Sequence, residues 1–327
     1  MHLKQDLKIL AIMLLLIAFL MFFPLLVAFI YGENQAVYGF GTSIILIVVC
    51  SIFLLFVLRK DHLVNIMQRD GYFLVSMIWI VGAAFGAIPL VLSGDFTDYS
   101  SAYFEVMSGF TTTGATTLTT IEGCTKAVLF WRSMTNWLGG MGIVVLFVAL
   151  LPVIGAGAKL GAGTFHLMGA ESVGPIKGKL TPKTRTTALV LWAIYIGLTL
   201  LETVILLFGG LSFYEAITVS FSTLAAAGFC IKNASIGGFA SVYVDIVVTI
   251  FMFLAGINFS LYYRAFTSKI KNVVKDSELR WYTSIILICS LLSAIQLTIM
   301  HTYGSFFEAL RYTLFMIISI ITTTGFS

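Results

Sequence analysis

Charge is scarce in this chain. Asp, Glu, Lys and Arg make up 10 % of its 327 residues, too few to solvate the surface of a soluble domain of that length. Histidine is scarcer still. His2, His62, His166 and His301 are scattered, with no spacing that would assemble a metal site or a catalytic base. The four cysteines show no metal-ligand spacing either. Cys50 and Cys289 fall within apolar runs as small fillers, while Cys124 and Cys230 are expected as free thiols, with a disulfide as the alternative. No GxxxxGK, HExxH or GxSxG pattern occurs, so ATPase and hydrolase chemistry lack candidate residues and the chain reads as a non-enzyme without an intrinsic cofactor.

What is present is apolar sequence. Hydrophobic residues reach 59 % and the mean hydropathy is +1.01. Runs of about 20 apolar residues, the length that crosses a bilayer core, recur throughout. They predict spans near 9–31, 40–58, 72–93, 129–152, 187–209, 240–263 and 281–301. Shorter apolar pieces near 99–110, 212–224 and 306–321 fit re-entrant pore helices. The first run is too long for a signal-peptide core and lacks a small-residue cleavage site, so it reads as a retained anchor.

Basic residues set the orientation. Lys4 and Lys8 precede the first span. Arg59, Lys60 and Arg69 lie between spans two and three, and Lys159, Lys177, Lys179, Lys183 and Arg185 between four and five. Arg264, Lys269, Lys271, Lys275 and Arg280 lie between six and seven. All fall on one side, which the positive-inside rule makes cytoplasmic, N-terminus included. Glu33, Asp95, Asp98, Glu122 and Glu215 then line an acidic outer mouth that concentrates cations.

Three segments repeat: Thr111–Ala115 (TTTGA), Ala225–Phe229 (AAAGF) and Thr322–Phe326 (TTTGF). Aligning Gly114, Gly228 and Gly325 also aligns Ser108, Ser222 and Ser319, each six residues earlier. The spacings of 114 and 97 residues mark divergent structural repeats rather than tandem copies. Each loop follows a short apolar helix whose negative C-terminal dipole end favours a cation. Glycine's freedom at positive φ lets neighbouring carbonyls aim at one point, where they replace the water around an ion. Ordinary turn and helix-capping chemistry is the alternative for any single copy. The expected fold is therefore an all-α polytopic membrane protein with repeated span–pore helix–filter loop–span units around a pseudo-symmetric pore. Its segments would be an N-terminal pair of spans (1–70), a first repeat (71–158), a basic loop (159–186), a second repeat (187–266), a linker (267–280) and a third repeat (281–327). The third repeat stops after its filter, and truncation of a longer four-repeat chain is the expectation.

Several charged residues need placing. Arg132 is expected to prop the first filter in a buried pair with Glu105 or Asp98, the alternative being the headgroup layer. Arg311 is expected to pair with Glu308 at helical spacing. Asp245 reads as the most membrane-embedded acid; an ion or proton role and pairing with Arg132 or a neighbouring polar group both stay open. Glu202 is expected to reach the headgroups from the outer end of span five. Asn258 is expected to hydrogen-bond between helices, the alternative being a place lining the inner cavity. Gly139, Gly140 and Gly142 are expected to permit close helix approach.

The ordered motifs FEVMSGFTTTGATTL (104–118), FWRSMTNWLGGMGIVVL (130–146), AESVGP (170–175), FSTLAAAGF (221–229), AGINFSLYYRA (255–265) and ISIITTTGF (318–326) carry a family resemblance. The chain resembles the membrane subunit of Trk-type bacterial potassium uptake systems, the TrkH/KtrB superfamily, with the extra N-terminal spans of the TrkH plan. The resemblance implies backbone carbonyls of Thr112, Thr113, Ala226, Ala227, Thr323 and Thr324 as potassium ligands. Gly114, Gly228 and Gly325 would be the filter glycines, flanked by Thr111, Ala225 and Thr322; Arg132 and Asp245, read above from their charge, are the candidates for filter support. It also implies a homodimer in the bacterial inner membrane and a cytosolic TrkA-type nucleotide-binding regulator docked on the basic loops. The all-alanine second filter departs from the hydroxyl-rich pattern, and a fourth filter and a gating loop are missing. A sodium- or proton-coupled secondary transporter using Asp245 and a non-conducting fragment are the competing readings; the shared topology of the repeats disfavours the first.

Overall fold

The computed structural model describes residues 3–59, 68–142, 145, 184–267 and 275–327. The basic residues Lys60, Lys159, Lys177, Lys179, Lys183, Lys269 and Lys271, together with His62, His166 and the AESVGP motif, lie outside the described residues. The chain divides into two compact units, Met1–Trp192 and Ala193–Ser327.

In the first unit, α1 (Leu3–Leu20) and α2 (Phe22–Tyr31) form one long span broken at Met21. Pro24 supplies the cause, because it has no N–H to give the carbonyl of Leu20. Then follow α3 (Asn34–Val57), α4 (Gln68–Leu92), α5 (Tyr99–Phe110) and α6 (Lys126–Met141). Helix α3 packs through a narrow stripe of Ala36, Gly39, Phe40, Ser43, Ile47 and Ser51, whereas Ile45, Val49, Ile52, Phe53 and Phe56 are exposed. A narrow inward stripe rich in small residues with large apolar residues outward is the pattern of a helix bathed in lipid. Glu33 ties the base of α3 to α6, its two carboxylate oxygens accepting from the backbone N–H groups of Lys126 (2.6 Å) and Ala127 (3.0 Å). An acid at the positive end of α6 is favourable.

Helix α7 (Thr184–Phe208) carries the chain into the second unit. There α8 (Phe213–Leu224), a short 3₁₀ turn (Ser235–Phe239), α9 (Val242–Ala255), α10 (Phe259–Thr267), α11 (Ser277–Ile299) and α12 (Phe306–Ile321) follow. The expected continuous span 240–263 is instead bent by 90° between α9 and α10. The break runs over Gly256, Ile257 and Asn258. The Asn258 side chain accepts from Ser260 N–H at 3.0 Å, starting α10 anew. Among the described residues five helices are long and apolar enough to cross a membrane, and the bent pair brings the number to six. Of the remaining expected span, 129–152, the part up to Met141 lies in α6, which ends at the Gly142 cap, and most of the rest falls outside the described residues.

The three short apolar helices are built alike. Asp98 caps α5, its carboxylate accepting from Ser101 N–H at 2.8 Å. Ser212 caps α8 in a reciprocal box with Glu215, and Ser305 caps α12. Helices α5 and α8 run 12 residues each and α12 runs 16, a turn longer. Each ends directly in one of the Gly-containing loops.

Candidate functional site: three repeated loops

The three loops share one backbone. Thr113, Ala227 and Thr324 donate their N–H groups to the carbonyls of Ser108, Ser222 and Ser319 at 2.8, 3.1 and 2.9 Å. The preceding residues Thr112, Ala226 and Thr323 donate to Gly109, Thr223 and Ile320, each at 3.0 Å. φ is positive at Thr112 (53°), Ala226 (51°) and Thr323 (60°), and again at Gly114 (71°), Gly228 (83°) and Gly325 (77°). Positive φ costs an L-residue roughly 1–2 kcal/mol and is rarest for β-branched side chains such as Thr112 and Thr323. The cost recurs at the same place three times, and strain of this kind concentrates at ligand clamps. Its effect is geometric. Along extended backbone successive carbonyls alternate sides, and alternating the sign of φ turns them toward one side. Each loop can thus offer several carbonyl oxygens to one cation, at the negative end of its helix.

Side chains brace the loops differently. In the first loop the Thr111 and Thr113 hydroxyls meet at 2.8 Å, and Thr111 donates to the Met107 carbonyl. In the third, Thr322 and Thr324 meet at 2.8 Å, and Thr322 donates to the Ile318 carbonyl. Ala225 and Ala227 have no hydroxyls with which to repeat this. The second and third loops, both in the second unit, lie in contact. A side chain at Gly228 would overlap the Thr324 carbonyl oxygen, so only glycine fits there. Beyond the third loop, the Ser327 carbonyl accepts from Gly237 N–H at 3.2 Å.

Arg132 forms the buried pair with Glu105, Nε to Oε1 at 2.6 Å, both side chains at most 1 % exposed. Asp98 is the helix cap instead, and its carboxyl is pulled down to about 2 by hydrogen bonds from Ser100 and Ser101. The same Glu105 carboxylate accepts from the Thr116 hydroxyl (2.8 Å) and Thr117 N–H (3.1 Å). Pore helix, α6 and the extended segment leaving the first filter are thereby tied at one carboxylate. Thr116 was not foreseeable from spacing alone. In α6, a side chain at Gly139 would collide with the Phe110 carbonyl, the close approach expected there.

Three expectations are corrected. Arg311 pairs with Asp245 at 3.1 Å, not with Glu308. Asp245 stands on the first turn of α9 at 20 % exposure, so it is neither deeply embedded nor a partner of Arg132. Its tie to α12 braces the third pore helix. Glu202 does not reach outward: it is 0 % exposed. Asn258 makes the interhelical contact expected of it, its Nδ2 donating to the Glu278 carboxylate on α11 at 3.5 Å, and its Oδ1 accepts locally from Ser260 N–H at 3.0 Å. No disulfide forms among the described cysteines. No cluster of His, Cys, Asp or Glu able to hold a metal occurs among the described residues. A dehydrated monovalent cation would have carbonyls for ligands.

Apolar spans, capped re-entrant helices and repeated carbonyl loops define a multi-pass membrane transport protein. Residues 39–326 match the model of the TrkH family, described as a cation transport protein, and the chain belongs to that family. It is 35 % identical over 332 residues to the Trk system potassium uptake protein TrkH of Vibrio parahaemolyticus, covering 100 % of this chain and 67 % of the relative. Identity to TrkH of Escherichia coli K12 is 33 % over 330 residues with the same coverage. The crystal structure of the potassium transporter TrkH from V. parahaemolyticus matches with a TM-score of 0.82 at 32 % identity, over 100 % of this chain and 66 % of that one. The chain thus spans about two thirds of these relatives' length.

Proposed function

We propose that this chain carries the potassium path of a Trk-type uptake subunit. Potassium would shed water at the carbonyls of Thr112, Thr113, Ala226, Ala227, Thr323 and Thr324 and enter down the electrochemical gradient. The observation that carries this reading is the paired positive φ and shared hydrogen bonding at three equivalent loops. A membrane potential adds about 2.3 kcal/mol per charge per 100 mV. Fewer ordered glycine turns than a four-fold potassium channel suggest moderate discrimination against sodium. Location in the bacterial inner membrane with a cytoplasmic N-terminus rests on the basic residues, 15 of the 19 Lys and Arg falling on one side. Homodimerisation and control by a cytosolic TrkA-type nucleotide-binding subunit rest on the family alone. The pairing of Asp245 with Arg311 weighs against the secondary-transporter reading, which needs Asp245 as its coupling carboxylate.

The test is rubidium uptake into potassium-starved cells expressing the protein at its full natural length. Gly114→Ser forces a side chain onto φ of 71° and should weaken discrimination against sodium about tenfold, the scale of 1–2 kcal/mol of strain. Unchanged discrimination would count against the filter.

A further inference from the structure

Glu202 lies in the apolar incoming helix of the second repeat, fully buried, and neither carboxyl oxygen has a hydrogen-bond partner among the described residues. An ionised carboxylate cannot be kept in such a place without a cation beside it. The titratable group nearest in sequence on its own helix is Tyr195, buried two turns earlier, and the polar side chain that acts on its carboxyl from α8 is Thr223, near it but without a formed hydrogen bond. No ion pair involving Glu202 occurs among the described residues. A neutral carboxyl has one proton to donate and needs one acceptor. The Thr223 hydroxyl spends its own proton on the Val219 carbonyl at 2.8 Å, which leaves its oxygen free to accept.

Thr223 is a sensitive place to hold. Its backbone carbonyl accepts from Ala226 N–H at 3.0 Å, the contact that sets the positive-φ residue of the second loop. This is also the loop without a threonine hydroxyl pair. We propose that Glu202 keeps its proton and donates it to Thr223 Oγ1, a positioning contact that fixes the last turn of α8 and so the second filter loop. Glu202 touches no ion. It supplies from the neighbouring helix the bracing that hydroxyl pairs supply within the other two loops. The inference rests on the filter reading above.

The test uses the full-length protein, with rubidium uptake and its competition by sodium. Glu202→Leu should weaken discrimination against sodium roughly fivefold to tenfold, the scale of one lost buried hydrogen bond. Thr223→Val should match it, and the double variant should do no worse than either. Glu202→Gln keeps a donor and should restore discrimination. The protonated-carboxyl stretch in an infrared spectrum of the wild type should vanish in Glu202→Gln, a readout that holds even if Glu202→Leu fails to fold. Loss of uptake in Glu202→Gln equal to that in Glu202→Leu, or absence of that infrared band, overturns the proposal and marks an ionising carboxylate. Gly228→Ser separates the layers. Unchanged discrimination in Glu202→Leu but not in Gly228→Ser overturns this contact alone, and unchanged discrimination in both overturns the filter reading beneath it.

Discussion

The first and second loops follow the same backbone course yet are held by opposite chemistry. Around the first, charge and hydroxyls do the holding: Glu105 gathers Arg132, Thr116 and Thr117, and Thr111 meets Thr113. Around the second, apolar packing dominates. Ala225, Ala227, Phe229, Cys230 and Ile231 are all buried, and Glu202, buried on the incoming helix of the same repeat, is without an ionic partner among the described residues. Backbone geometry in this family of loops is therefore separable from its supports. A carbonyl-lined turn needs only the two positive-φ positions and a helix end, and each repeat can secure them in its own way. The consequence is a difference in how each loop fails.

The largest failure should come from the charged support. Arg132→Met leaves Glu105 buried and unpaired, and breaking such a pair costs about 3–5 kcal/mol. Thermal unfolding in detergent should drop sharply, and uptake with it. Adding Glu105→Leu to the same protein should recover most of the stability, because a well-packed apolar pair can replace a buried ionic one. If the single substitution is silent, charge does not hold the first loop. Next comes Gly228→Ala, which meets a φ of 83° and the Thr324 carbonyl oxygen together. Strain alone is about 1–2 kcal/mol, so uptake should fall at least tenfold while Gly210→Ala, at φ of 87° but in open space, should spare it.

A smaller change should make the third loop resemble the second. Thr322→Ala and Thr324→Ala each remove the hydroxyl pair, worth about 0.5–1.5 kcal/mol. Because the two hydroxyls form a single contact, the double variant should lose little more than either single one, a coupling readable in a double-mutant cycle of sodium competition. Full additivity would show that the hydroxyls act separately.

How far these supports could be read in advance follows from their range. The pore helices were legible because caps and apolar runs are local: 99–110 and 306–321 coincide with α5 and α12. The loops were legible because glycine recurs with a serine six residues before it. Arg311 was misassigned because Glu308 lies one turn away, whereas its partner Asp245 lies 66 residues away and is brought near only by packing of α9 on α12. Glu202 was misplaced for a related reason. A lone acid in an apolar span carries no mark of which face it occupies. The break after Ala255 was hidden because Gly256 and Asn258 interrupt an otherwise spanning composition.

The smallest expected effect probes the segments leaving the two loops. Cys124 closes a turn at the end of the long polar segment after the first filter, partly buried, and Cys230 sits buried two residues past Gly228. Partial burial, reinforced by the Asp95 carboxylate, pushes the Cys124 thiol up to about 11. The thiolate is the reactive species, so at pH 8 only about one thiol in a thousand would be ionised, against roughly a quarter for an unperturbed cysteine. A charged, membrane-impermeant maleimide should therefore label Cys124 slowly at pH 8 and progressively faster toward pH 10, with Cys124→Ser abolishing the rise. Cys230 should stay unlabelled at both, because packing rather than ionisation protects it. Fast labelling at pH 8 that depends on Cys124 would mean that the polar segment opens to solvent, and the contrast between a braced first loop and a packed second one would have to be redrawn.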